Sequence, residues 1–391
     1  MISVAKRMEF LQLSVFNELN AEKARFEQET GRKVLDFTLG SPDIPPAPAV
    51  IQTLSAQAKD PLNYRYAIQP LPMLVKAIQN WYHERYQVNL ESEEICLLQG
   101  SQEALVNLPL LYCNPHDIIL IPDPYYPAYV DAPRMAEADI WFVPLKAEND
   151  YLMDLDAIPE EVCEKARMMI VCYPNNPTGA TAPDWFIEKL IAFAKRHHIL
   201  VVFDNAYGDL VFEGPLGKSF LSFPGAKEVG VELNSFSKSY GMAGARLGIL
   251  CGSPEVIAQY KKLKSNMDYG VFLPVQYAGV TALETGQSVV EQTRETYQIR
   301  RSLIQKEFSM AGWDLPLPAG TMFIWAPIPE RYENTMAFAK DLLRQTGILV
   351  TPGTAFGKMG ERYIRLALVV SSYTIRQAAK RLAQTEFFTH Q

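Results

Sequence analysis

The sequence predicts an α/β protein: a mostly parallel sheet covered by helices on both faces, with a smaller α+β unit beside it. Three observations carry this. Short apolar, β-branched runs recur between about residues 48 and 280. Amphipathic stretches of helical length separate several of them, and near-continuous apolar strands alternating with such helices are the mark of a parallel sheet buried on both sides. The chain, 391 residues long and 48% hydrophobic, exceeds what one ordinary core holds.

Along the chain, residues 3–30 read as one amphipathic helix stopped at Gly31, followed by a strand at Val34–Leu39. The Pro-rich stretch after it, Gly40-Ser41-Pro42-Asp43-Ile44-Pro45-Pro46, has too many missing N–H groups for a helix and reads as an extended loop. The strand runs are Glu94–Leu98, Asp117–Ile121, Met168–Cys172, Leu200–Phe203, Val229–Asn234 and Leu247–Cys251, with helices such as Asp184–His197 between them. A long charged helix follows at 285–309. The remainder mixes short strands and helices and ends on a helical Thr374–Phe387. The expected division is a large domain over 48–280 and a small one from 1–47 and 281–391.

Composition excludes several function classes. A net charge of −7 with scattered Lys and Arg gives no electrostatic reason to bind nucleic acid or an anionic membrane. No apolar stretch reaches the ~18–20 residues of a membrane span, and the N-terminus carries no signal-peptide pattern. The five cysteines lack CxxC spacing and form no metal-ligand pattern with the five histidines, so they read as reduced core thiols. The expectation is a cytoplasmic protein without a metal.

In open α/β sheets the ligand sits outside the carboxyl ends of the strands, so the residues after each strand decide the chemistry. After Glu94–Leu98 comes Gln99-Gly100-Ser101-Gln102, a turn opening a helix whose free N–H groups suit a phosphate. After Met168–Cys172 comes Tyr173-Pro174-Asn175-Asn176-Pro177-Thr178-Gly179, by composition a turn. After Leu200–Phe203 comes Asp204-Asn205-Ala206-Tyr207; an acid at the end of a buried strand is costly unless a cation meets it. After Val229–Asn234 comes Ser235-Phe236-Ser237-Lys238-Ser239-Tyr240-Gly241, running on to Arg246, a lysine and an arginine among hydroxyls and glycines that resemble neither core nor solvated helix.

Together, in this order and spacing, these segments resemble the fold-type-I enzymes that use pyridoxal 5′-phosphate (PLP), specifically the class I/II aminotransferases. The resemblance runs from about Leu35 to Leu382 and is most specific in the Ser235–Arg246 and Asn175–Gly179 segments. It implies a mostly parallel seven-stranded sheet in the large domain and a homodimer with shared active sites. Lys238 would carry the cofactor and move the substrate proton, a role a lysine fills when its basicity is lowered. Asp204 would pair with the pyridine nitrogen and make the ring an electron sink. Tyr207 and Asn176 would hydrogen-bond the phenolic oxygen, and Tyr126 would stack on the ring. Gly100, Ser101, Gln102, Ser235 and Arg246 would hold the phosphate, joined by Tyr66 from the second subunit, with Tyr64 as the alternative. Arg365 would grip the substrate α-carboxylate as a planar two-pronged cation, assisted by Asn176, with the backbone at Gly40 closing over the substrate. Phe236, Met242 and Trp325 read as packing.

Three readings compete. The resemblance implies first an aminotransferase moving an amino group from an L-amino acid to a 2-oxo acid in ping-pong fashion. The segments Ser265–Phe272, Gly320–Pro327 and Pro122–Pro127 look most like the LL-diaminopimelate branch and its neighbours acting on methionine, alanine or aromatic amino acids. The second is a carbon–sulfur β-lyase of the same fold, which shares Lys238, Asp204 and Arg365. The third, a non-catalytic module, is opposed by the acidic charge and by the occupancy of every catalytic position. No arginine stands in Ser265–Phe272, which argues against a dedicated aspartate enzyme.

Overall fold

The computed structural model describes residues 3–5, 7–8, 15–385 and 387–388. The main sheet has seven strands in the order β2-β8-β7-β6-β5-β3-β4. They are β2 (Ile95–Leu98), β3 (Ile118–Asp123), β4 (Asp139–Pro144), β5 (Ala166–Cys172), β6 (Leu200–Asp204), β7 (Gly230–Ser235) and β8 (Gly248–Gly252). Pairing is parallel from β4 through β3, β5 and β6 to β7; β8 runs antiparallel to both β7 and β2. Most inner strands are apolar without alternation, β7 with its buried Glu232 and Asn234 being the exception, and β2, β5 and β6 are buried almost throughout. Two apolar clusters, one on each face, account for this.

The six runs read from sequence all lie in this sheet. β4 was not among them. It is an edge strand whose residues are mostly exposed, so its sequence, Asp139-Ile140-Trp141-Phe142-Val143-Pro144, lacks the continuous burial that marks the others.

Outside the main sheet, β1 (Leu35–Asp36) pairs in parallel with β10 (Ile348–Leu349), and β9 (Phe323–Pro327), β12 (Tyr363–Ala367) and β11 (Thr351–Pro352) form an antiparallel trio. The strand expected over Val34–Leu39 is short because the Asp36 carboxylate takes both the N–H and the hydroxyl of Thr38, at 2.9 and 2.6 Å, in place of ladder bonds. The helix expected over 3–30 is present as Val15–Thr30, with Gly31 at φ 66° ending it. Residues 3–5 are not helical, and 9–14 lie outside the described residues. The long helix is Gln287–Ser309; it is not solvated all round, since Tyr297, Ile304, Phe308 and Arg301 are buried. The last helix is Ser372–Thr385. Helix Leu273–Thr285 crosses the expected boundary at 280 and packs on helices Pro48–Gln57 and Pro72–Tyr86. We propose that the larger unit runs on to Thr285 and that the division falls at Gly286.

Candidate active site

A cavity of about 520 Å³ opens at the carboxyl ends of β6 and β7 and brings together eleven of the thirteen residues singled out above; Gly100 lies beside it, and Tyr66 does not line it. Lys238 sits on the one-turn helix Phe236–Ser239 that follows β7, and the Ser235 hydroxyl caps that turn by accepting from Ser237 N–H at 3.2 Å. Its amine donates to the Gly40 carbonyl at 2.8 Å. Burial first, then the cations of Arg365 and Arg246, push the Lys238 amine down to about 8, against a smaller upward pull from Asp204.

Asp204 ends β6 and is buried. One of its oxygens accepts from the Tyr129 hydroxyl at 2.6 Å, the other from Ala206 N–H at 3.2 Å. Burial raises its pKa, and Tyr129, Ala206 and Lys238 oppose that only in part. No salt bridge reaches it among the described residues, so a cationic group is what this carboxylate lacks. Tyr207 is buried beside it, its ring edge-on to Phe323 at 5.9 Å and 6.0 Å from the Lys238 nitrogen; burial raises its pKa well above the usual range.

Arg365, on β12, is 4% exposed. It donates to Asn176 Oδ1 at 3.0 Å and to the Thr38 carbonyl at 3.3 Å, while its Nε has no partner. The guanidinium lies over the rings of Phe323 and Phe356, 4.1 and 4.5 Å from their centroids. Burial lowers its pKa to about 10, which leaves it charged at neutral pH. A buried guanidinium with an orphaned N–H in a cavity wall is a ready anchor for a carboxylate.

On the opposite wall, Gly100 has φ 82°, and a Cβ there would overlap the guanidinium of Arg246. The helix Gln102–Tyr112 begins next to it. Its first turn bonds start at Glu103 N–H, which donates to Gly100 O at 3.1 Å; the amides of Ser101 and Gln102 have no acceptor among the described residues. Two free amides beside a guanidinium make an anion cradle. Tyr126 stands over the cavity, its hydroxyl donating to Gln102 Oε1 at 3.3 Å.

Tyr66 lies elsewhere. It is 78% exposed and lines an outer cavity of about 390 Å³ with Tyr64, Tyr269 and Phe272, which touches the inner one through Arg246. Tyr64 is exposed too, but its hydroxyl is engaged by the Ala58 carbonyl at 2.9 Å, which leaves Tyr66 the freer of the two. The packing readings stand: Phe236, Met242 and Trp325 are buried. Sequence reasoning missed Tyr129, Phe323 and Phe356. Tyr129 could have been found as the tyrosine three residues past Tyr126, at the start of the helix Ala128–Met135, where its ring meets that of Tyr126 edge-on at 5.7 Å. No group of His, Cys, Asp and Glu suited to a metal occurs among the described residues, and none of their helices is long and apolar enough to cross a membrane.

Fold and site define a fold-type-I transferase, with a lysine, an acid and an arginine meeting at the ends of a mostly parallel sheet. The chain belongs to the class I and II aminotransferases, whose family model matches residues 32–382. It is 40% identical over 380 residues to the LL-diaminopimelate aminotransferase of Moorella thermoacetica, covering 97% of each chain. To the enzyme of that name from Dehalococcoides mccartyi it is 37% identical over 384 residues, 98% of each. Among solved structures it is similar to substrate-bound BacF from Bacillus subtilis, with TM-score 0.93, 32% identity and 98% of each chain covered. It is also similar to a probable N-succinyldiaminopimelate aminotransferase from Thermus thermophilus, with TM-score 0.88, 35% identity, and 95% and 100% covered.

Proposed function

We propose that this aminotransferase holds PLP in the inner cavity and uses LL-diaminopimelate as amino donor to a 2-oxo acid. The observation that carries the cofactor reading is the buried Asp204 without a cationic partner, placed across from a lysine amine lowered to about 8. A pyridinium would supply the missing cation, and the Gly100–Gln102 and Ser235–Arg246 walls would hold the phosphate, with Tyr66 of a second subunit completing that site in a homodimer. When bound, PLP supplies an electron sink for negative charge developing at the substrate α-carbon.

The chain's own residues do the rest. Arg365 and Asn176 fix the α-carboxylate and so set which α-bond faces the catalytic groups. Lys238, lowered in basicity, takes the α-proton and delivers it one position along. Tyr129 keeps Asp204 oriented. Tyr207 and Asn176 would hydrogen-bond the phenolic oxygen, Tyr126 would cover the ring, and the Gly40 backbone would close over the substrate and exclude water. The substrate assignment is supported by the names of the relatives and by the absence of an arginine in Ser265–Phe272.

The test is a visible absorbance scan of the purified holoenzyme with single amino acids and no oxo acid. LL-diaminopimelate is expected to bleach the cofactor band, and 2-oxoglutarate or pyruvate to restore it. A persistent band with pyruvate and ammonia accumulating from a cysteine derivative would make the protein the β-lyase instead. No band after incubation with PLP would remove Lys238 from its role.

A further inference from the structure

The cavity does not stop at Arg365. Past Thr38 and Gly40 it runs on to Asp36, and its far wall is helix Val15–Thr30, which contributes Asn20 and Lys23. These two are three residues apart on a helix and so share one face. Both precede residue 32, where the family match begins. We propose that Asn20 and Lys23 form a distal recognition site for a second carboxylate, carried at the far end of a long amino-acid substrate. The inference rests on the reading of the Lys238 cavity as an amino-acid site and specifies which amino acids it takes.

The hydrogen-bond count selects the ligand. Lys23 Nζ donates to Asp36 Oδ2 at 2.7 Å, its one hydrogen-bond partner among the described residues. An ammonium has three donors, so two remain. Asp36 is held from its own side: Oδ1 accepts from Thr38 N–H and hydroxyl, and its side chain is 12% exposed against 32% for Lys23. Burial opposes ionisation of Asp36, but the bonds from Lys23 and Thr38 outweigh it and hold the pKa below the usual value. Asp36 is therefore a fixed anion that aims Lys23, and what the wall still offers is donors. The Asn20 amide has no partner among the described residues and adds two more. A carboxylate is the group that takes such donors.

Reach selects the length. Arg365 is tied to the Thr38 carbonyl, and Thr38 lies two residues from Asp36, at most about 7 Å of chain. A substrate gripped at Arg365 would meet the Lys23 end of the same cavity through its side chain. The second carboxylate of a diamino-dicarboxylic acid, at the far end of a chain of several carbons, is the group this site would take.

The experiment compares ligands with and without the distal carboxylate on the holoenzyme. By calorimetry, pimelate is expected to bind more tightly than heptanoate, and Lys23→Met to erase that preference, about 10–100-fold for a hydrogen-bonded charge. The ratio of kcat/KM for LL-diaminopimelate or 2-aminoadipate over norleucine should fall by a similar factor, through KM. Lys23→Arg should keep both preferences. Since Lys23 also tethers its helix, Asn20→Leu serves as the second variant; it breaks no hydrogen bond among the described residues and should lower the ratio by about 3–10-fold. Equal binding of pimelate and heptanoate to the wild type, or an unchanged preference in both Lys23→Met and Asn20→Leu, overturns the proposal. If diaminopimelate is not turned over while pimelate binding still depends on Lys23, the distal site stands and the substrate assignment above is the part that fails.

Discussion

The two cavities that meet at Arg246 differ in what they leave unfinished. The inner one is buried and polar: Lys238, Asp204, Arg365 and Asn176 are tied to named partners within the chain. The outer one is aromatic and open, with Tyr64, Tyr66 and Tyr269 paired ring to ring yet more than half exposed. Exposed apolar surface of that kind marks a place where another molecule sits. The lesson is a division of labour. On the proposed function, one chain assembles the charged groups for proton transfer and carboxylate binding, while the rim is what a second copy would cover.

If that division is right, damage to the inner cavity should be severe and damage to the outer one mild or rescuable. Lys238→Ala should abolish proton transfer, a loss of about 10²–10⁴-fold or more in kcat, with circular dichroism unchanged; substantial residual turnover would break the comparison at its centre. Next, Arg365→Lys should raise KM for every amino-acid substrate by roughly 10–100-fold, because one prong of the charge-assisted grip is lost.

The same pair gives a pH prediction. The Lys238 amine in the folded protein lies at about 8, below its ordinary 10.5. Below about 8 both folded and unfolded chains carry the proton, and the cost of burying it is fully present. Between about 8 and 10.5 the folded state sheds the proton first, so stability rises with pH across that window. Denaturant unfolding of the cofactor-free protein, compared with Lys238→Met, should show this rise in the wild type alone.

A smaller effect is expected at Tyr129→Phe, which strips Asp204 of its 2.6 Å donor; cofactor retention should weaken by about tenfold. At the rim, Tyr66→Ala should lose activity as a homodimer and regain part of it when mixed with Arg365→Ala chains, since one site of the hybrid would be intact. No rescue would mean that the outer cavity serves a different purpose.

The residues that could be read from sequence are those whose chemistry clashes with their surroundings. An acid at the end of β6, a lysine among hydroxyls after β7 and an arginine inside β12 have no cheap structural explanation, so their pattern was visible without coordinates. Tyr129, Phe323 and Phe356 blended into the apolar background, and only packing reveals that one holds a carboxylate and two sandwich a guanidinium. Strand β4 escaped for a related reason: on an edge, with one side in solvent, it lacks the apolar continuity of its neighbours. Lys23 and Asp36 looked like an ordinary helix face and a strand end; their meeting across the cavity is a tertiary fact.

The contact between Gly100 and Arg246 has a consequence for how such a protein can vary over time. Any side chain at position 100 collides with the guanidinium unless that group gives way, and shortening residue 246 removes the collision only by discarding a cation from the cradle. The two positions, distant in the chain, therefore behave as one heritable unit. A side chain at 100 is accommodated only once residue 246 has given way, and the first step in either order passes through an impaired enzyme.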